Sequence, residues 1–224
     1  VYMAAHIVKI LESSFINHDV KRFITEKPEG YHFIPGQGTD VSINLPEWKD
    51  TYRPFTFTSL NSAPYLEFLI KIYDERNGVT RQLGKTNAGA ELILQEPFGS
   101  IQYKGPGVFI AAGTGITPFL AIFRDQYHRR KLQDCTLILS NKTSQDILYP
   151  DELVKMLGYN FINIFTREGV IGFIDRRIDR DFLVDRIRDF SGNFYICGPQ
   201  LFVKQISGYL LSLGATADTL VIEQ

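Results

Sequence analysis

The chain has 224 residues, 44% of them apolar and 22% charged, which suits one or two packed domains and excludes a disordered segment. With 24 Lys and Arg against 25 Asp and Glu the formal charge is −1, which argues against a nucleic-acid binder held by counterion release. Two cysteines, Cys135 and Cys197, are too few for a disulfide framework, a four-thiolate zinc site or an iron–sulfur cluster, so any redox centre has to be an organic cofactor or a haem, and no metal site is expected.

The chain alternates from its start, with Ala5, Ile7 and Ile10 set among His6, Lys9 and Glu12, and shows no apolar run of signal-peptide type. A reducing, cytoplasmic location is the expectation. Short runs rich in β-branched and aromatic residues predict strands at 5–11, 21–25, 39–43, 55–59, 66–72 and 91–95, punctuated by turns such as Lys27-Pro28-Glu29-Gly30 and Pro35-Gly36-Gln37-Gly38. Closely spaced strands with one short helix at 80–86 predict a small antiparallel barrel.

The texture changes after Lys104-Gly105-Pro106-Gly107. Apolar runs at 108–112, 136–140, 161–166, 193–196 and 219–222 alternate with helical stretches at 118–130, 151–157, 179–189 and 200–213. That alternation predicts a parallel sheet with helices on both faces. The two domains are expected at 1–104 and 105–224. The uncharged stretch 105–123 is about long enough to span a bilayer, yet its four glycines, two prolines and central threonines fit a strand, a turn and a helix start better. No membrane span is expected.

Four places carry chemistry. Gly113-Thr114-Gly115-Ile116-Thr117-Pro118 follows the first strand of the predicted parallel sheet and opens a helix. Small residues there let a ligand approach the backbone, and the free N–H groups at the helix start attract phosphate. The plain alternative is a tight turn without a ligand, and Pro118 stands where a full G-x-G-x-x-G has its third glycine. Arg53-Pro54-Phe55-Thr56-Phe57-Thr58-Ser59 reads as a strand with Arg53, Phe55 and Phe57 on one face and Pro54, Thr56 and Thr58 on the other. It offers a guanidinium for phosphate and an aromatic plane, or else it is an ordinary strand with Arg at its edge. Asn77-Gly78-Val79-Thr80 is a good turn whose Thr80 could also hold a phosphate oxygen at a helix start. Tyr195-Ile196-Cys197-Gly198-Pro199 closes a late strand of the parallel sheet, where Cys197 is a small buried hydrophobe or a polarizable atom against a ligand ring.

Taken together, and in this order, these stretches resemble the ferredoxin–NADP reductase-like flavoproteins: Arg53-Pro54-Phe55-Thr56 matches the flavin-binding strand, Gly113-Thr114-Gly115-Ile116-Thr117-Pro118 the dinucleotide turn, and Cys197-Gly198-Pro199 the nicotinamide turn. The resemblance covers nearly the whole chain. It implies a Greek-key FAD barrel followed by a Rossmann-like NADP domain. It implies that Arg53 pairs with the flavin pyrophosphate, Phe55 packs beside the isoalloxazine or ribityl chain, and Thr56 bonds near flavin N5. Lys71 and Ile72 would edge the ring through their backbone, and Gly78, Val79 and Thr80 would hold the pyrophosphate. Gly113, Thr114, Gly115, Ile116, Thr117 and Pro118 would receive the dinucleotide, with Thr117 close to the reacting ring, and Cys197, Gly198 and Pro199 would bracket the nicotinamide. Thr56, Thr117 and Cys197 are thus the expected catalytic residues.

Thr166 and Arg167 follow the third parallel strand, where NADP-using members carry a Ser-Arg pair for the 2′-phosphate, and Phe173 would cover the adenine. NADPH is the expected donor, with NADH the alternative. Two departures stand out: Phe55 replaces the usual tyrosine, and Gly78 lies two residues before Thr80 where three is more common. The implied reaction is hydride transfer from nicotinamide C4 to flavin N5, followed by single-electron delivery to flavodoxin or ferredoxin by a monomer. The rival readings are the reductase component of an oxygenase, an NAD(P)H:flavin reductase, and an electron-transfer subunit with no activity of its own.

Overall fold

The computed structural model describes residues 5–99, 101–167, 174–175 and 177–222. The chain divides into two compact units, Val1–Gly99 and Ser100–Gln224.

The first unit is built on β1 (His6–Phe15), β2 (Val20–Glu26), β3 (Gly38–Ile43), β4 (Arg53–Thr56), β5 (Tyr65–Lys71) and β6 (Glu91–Leu94), with one short helix, α1 (Val79–Lys85). All pairings are antiparallel, in the order β4-β3-β6-β1-β2-β5. The alternation read from the sequence sends Val8 and Ile10 of β1 inward while Ile7 and Leu11 stay exposed. Phe23, Phe57 and Phe68, all fully buried, form the middle of the barrel core, and Phe33 stacks on Phe57 at 4.2 Å.

The strand expected at 55–59 stops at Thr56, for a reason that closes the barrel. Up to Thr56 the chain pairs with β3, and the Phe57 N–H still reaches the Gln37 carbonyl. The next residue changes partner, the Thr58 N–H donating to the Glu67 carbonyl of β5 at 2.9 Å. The two outer strands of the sheet are thereby joined, leaving a near-closed barrel. The expected two-faced display is corrected accordingly: Phe57 lies in the core, and the Thr58 hydroxyl is buried against the Glu67 carboxylate at 2.7 Å.

The second unit alternates strand and helix: β7 (Gly107–Ala112), α2 (Thr117–His128), β8 (Thr136–Asn141), α3 (Pro150–Leu157), β9 (Phe161–Phe165), β10 (Ile174–Asp175), α4 (Arg180–Arg186), β11 (Asn193–Cys197), α5 (Gln200–Ser212) and β12 (Leu220–Ile222). All strands are parallel, in the order β10-β9-β8-β7-β11-β12. One sheet face packs Ile110, Ile138, Ile164 and Ile196 against Phe182 and Leu183 of α4 and Ile206 and Leu210 of α5. On the other, Phe109 stacks on Tyr195 at 4.1 Å and meets Phe119 and Phe123 of α2 edge-on. Arg124 and Glu152 tie α2 to α3 by two hydrogen bonds, at 2.7 and 2.8 Å. The uncharged stretch at 105–123 is β7, a 3-10 turn and the start of α2, and among the described residues no helix is long and apolar enough to cross a membrane.

Candidate functional site

In the second unit β7 and β11 lie side by side, but the chain leaves β7 toward β8 and leaves β11 toward β12. The strand order therefore reverses between them, and ligands of such sheets bind outside the carboxyl ends at that reversal. Two of the sequence motifs meet there. Gly113–Ile116 is a 3-10 turn directly after β7, and Thr117 opens α2 with Pro118 in its first turn. Cys197 ends β11, and Gly198 and Pro199 lead into α5.

The contact between the two turns is close. A Cβ on Gly115 would stand 2.6 Å from the Cys197 carbonyl carbon and 2.8 Å from the Gly198 nitrogen, so only glycine lets them touch. Gly113 has a φ of +55°, and nothing lies within 4 Å of where its Cβ would be. Neither the 3-10 turn nor α2 has a side-chain cap, and the Thr117 hydroxyl donates to the Thr114 carbonyl at 2.9 Å, leaving its lone pairs for an incoming donor. Backbone N–H groups at the start of the 3-10 turn, beside a gap that glycine keeps clear, fit a phosphate group. Cys197 is buried and forms no disulfide among the described residues.

Thr166 and Arg167 follow β9. The Thr166 N–H and hydroxyl both donate to the Asn141 carbonyl, at 3.0 and 3.3 Å, and the Arg167 N–H donates to the Lys142 carbonyl, while the Arg167 side chain is exposed. Phe173, expected over the adenine, lies outside the described residues.

In the barrel, Arg53 is exposed at the start of β4, and its guanidinium donates to the neighbouring Tyr52 carbonyl at 2.7 Å. Phe55 is half-buried against the barrel core and Thr56 is half-buried at the strand end. Lys71 closes β5 in a salt bridge with Asp19 at 2.5 Å, and the Ile72 N–H donates to the Asp19 carbonyl at 2.7 Å. Gly78 precedes α1, Val79 is buried and Thr80 half-buried, and the helix start has no side-chain cap. Ile72 and α1 are brought together: a Cβ on Gly84 would stand 2.9 Å from Ile72 Cγ2. An exposed guanidinium and uncapped N–H groups as donors, with an aromatic in the same strand, suit a flavin dinucleotide.

Three residues that sequence reading passed over support these positions. Asp19 anchors Lys71 and Ile72. Lys21, 3% exposed, donates to the Gly84 carbonyl at 3.1 Å, the Thr86 carbonyl at 2.7 Å and Asn87 Oδ1 at 3.3 Å, which satisfies the last turn of α1, and burial lowers its pKa. Asn141 lies beneath Thr166, and its only sequence signal is an amide at the end of an apolar strand.

Residues 7–103 match the oxidoreductase FAD-binding domain and residues 109–208 the oxidoreductase NAD-binding domain. The chain is 26% identical over 219 residues to the reductase component of propane 2-monooxygenase from Rhodococcus jostii, covering 91% of this chain and 58% of that protein. It is 27% identical over 216 residues to NADH-cytochrome b5 reductase 2 from Mycosarcoma maydis, covering 86% and 61%. The chain thus spans less than two thirds of the length of either relative. A ferredoxin NADP+ reductase from Neisseria gonorrhoeae, solved with FAD and NADP, superimposes with a TM-score of 0.85 over 97% of both chains at 21% identity, a likeness of fold.

Proposed function

We propose that this chain, which belongs to the ferredoxin–NADP reductase-like flavoproteins, is an FAD-dependent oxidoreductase that oxidises NADPH and delivers the electrons to a redox protein. One observation carries the reading: the Gly113–Thr117 turn and the Cys197–Pro199 turn touch at the reversal of the parallel sheet, in a chain whose other unit matches an FAD-binding domain. FAD, when bound, supplies the conversion between a two-electron donor and a one-electron acceptor.

The chain's own residues bind, orient and exclude water. The exposed Arg53 guanidinium pairs with the flavin pyrophosphate, helped by the backbone of Gly78, Val79 and Thr80. Phe55 gives the ring system an apolar side, Thr56 offers a hydrogen bond near its reactive nitrogen, and the backbone of Lys71 and Ile72 is held at the ring edge by Asp19. Gly113 through Pro118 receive the nicotinamide dinucleotide at the start of the 3-10 turn that leads into α2, and Cys197, Gly198 and Pro199 shape the nicotinamide pocket. Thr166 and Arg167 hold a 2′-phosphate, which favours NADPH over NADH. Orientation accounts for the rate, since direct hydride transfer asks no side chain to act as a general acid or base.

Flavodoxin or ferredoxin is the acceptor we propose. The names of the relatives favour a second reading, in which the acceptor is an oxygenase component or cytochrome b5. The purified protein should be yellow, bleach anaerobically with NADPH at lower concentrations than with NADH, and reduce one of flavodoxin, ferredoxin or cytochrome b5 faster than free FMN. A colourless protein that takes up no added FAD overturns the reading. Preferential reduction of free FMN replaces the carrier-protein assignment with a flavin reductase.

A further inference from the structure

Asn141, the last residue of β8, is 5% exposed, and among the described residues neither its side-chain nitrogen nor its side-chain oxygen has a hydrogen-bond partner. Leaving polar groups unpaired in the interior costs about 1–3 kcal/mol each, and an apolar side chain at this strand end would avoid that cost. The surrounding backbone is fixed on both sides. The Asn141 carbonyl accepts from the Thr166 N–H and hydroxyl. On the other side β8 pairs with β7 as far as Ala112 and Ser140, which sets Asn141 level with the start of the Gly113–Ile116 turn. Asn141 therefore lies between the turn assigned to the nicotinamide dinucleotide and the Thr166–Arg167 pair assigned to its 2′-phosphate. A phosphate presents acceptors alone and would leave Oδ1 without a donor. A sugar hydroxyl both donates and accepts, and can satisfy both halves of an amide.

We propose that Asn141 binds the adenosine ribose of the dinucleotide, Oδ1 accepting from the 3′-hydroxyl and Nδ2 donating to the oxygen at the 2′ position. A rotamer change at the strand's last residue turns the amide to the ligand without moving the sheet. This inference rests on the dinucleotide reading given above and adds to it a residue that recognises the sugar.

The test is calorimetric titration of the FAD-loaded full chain with 5′-ADP and with 3′-deoxy-5′-ADP. The wild-type chain is expected to bind the deoxy compound about tenfold more weakly, the loss of one hydrogen bond. Asn141→Leu is expected to bind 5′-ADP about tenfold more weakly and to treat the two compounds alike. Asn141→Ser, which needs less repacking, is expected to lose the same discrimination. Equal wild-type affinity for the two compounds, or discrimination that persists in either variant, overturns the assignment of Asn141. A wild-type chain that binds neither ADP compound and neither NADPH nor NADH overturns the dinucleotide reading itself, which is a separate and recognisable failure.

Discussion

Gly115 is confined to glycine by the Cys197 carbonyl, which occupies the space a side chain would need. The two glycines of the turn therefore do different work: Gly113 supplies a left-handed φ and an open space, and Gly115 supplies contact with the neighbouring turn. Gly115→Ala is expected to separate the turns, since backbone cannot yield as a flexible side chain does, and to weaken NADPH binding at least tenfold while FAD uptake stays normal. Fluorescence titration of both ligands checks this, and unchanged NADPH affinity would mean that the contact is incidental. At this scale the sequence was readable where residue type dictates conformation, as in the turn's glycines. It was silent on Asp19, Lys21 and Asn141, whose roles come from burial and from partners far along the chain. Lys21 meets Thr86 across 65 positions, and no local pattern encodes such a distance.

Among the elements, α1 depends on a tie from another strand. Lys21 of β2 donates to carbonyl oxygens at the end of this seven-residue helix, which is too short to be stable alone. Charge-assisted hydrogen bonds to three oxygens offset the cost of burying the ammonium, which also lies over the rings of Phe15 and Phe23 at 5.5 and 5.4 Å. Lys21→Met is expected to cost about 1–3 kcal/mol, seen as a melting temperature lower by about 2–10 °C, and to loosen FAD because Gly78–Thr80 begin the same helix. A melting temperature at or above wild type would show that desolvation dominates. Element types followed the hydrophobic period closely; their ends did not. The strand through Phe55 ended early because Thr58 turned to a partner on β5, a tertiary choice. The helix expected to reach Arg130 ended at His128, with Arg130 at a φ of +56°, and β10, two residues long, is too short to carry a readable period.

Over the whole molecule, each unit has a core of its own, one around Phe23, Phe57 and Phe68, the other around Ile110, Ile138 and Ile196. The division falls at Gly99, a few residues before the Gly105-Pro106-Gly107 turn where the composition changes. Residues ahead of that turn already belong to the second unit: the Lys104 N–H donates to the Tyr195 hydroxyl, which in turn donates to the Gly105 carbonyl, and Tyr103 stacks near Tyr195. Glycine and proline there mark the entry into β7, whereas the boundary follows from bonds to a strand almost a hundred residues later, which composition does not display. Separate cores and separately assigned ligand groups make the two ligand protections separable. A ligand present at 100 times its Kd stabilises what it binds by about 2.7 kcal/mol, and a tenfold loss of affinity removes about half of that. Arg53→Ala is expected to reduce the rise in melting temperature given by FAD and to leave the rise given by NADP+ intact. Arg167→Ala is expected to do the reverse, and to bring the NADP+ response down to that of NAD+. Thermal scans of the two variants with each ligand measure this directly. If either substitution lowers both protections alike, its arginine acts through general stability, and its assignment to one cofactor fails.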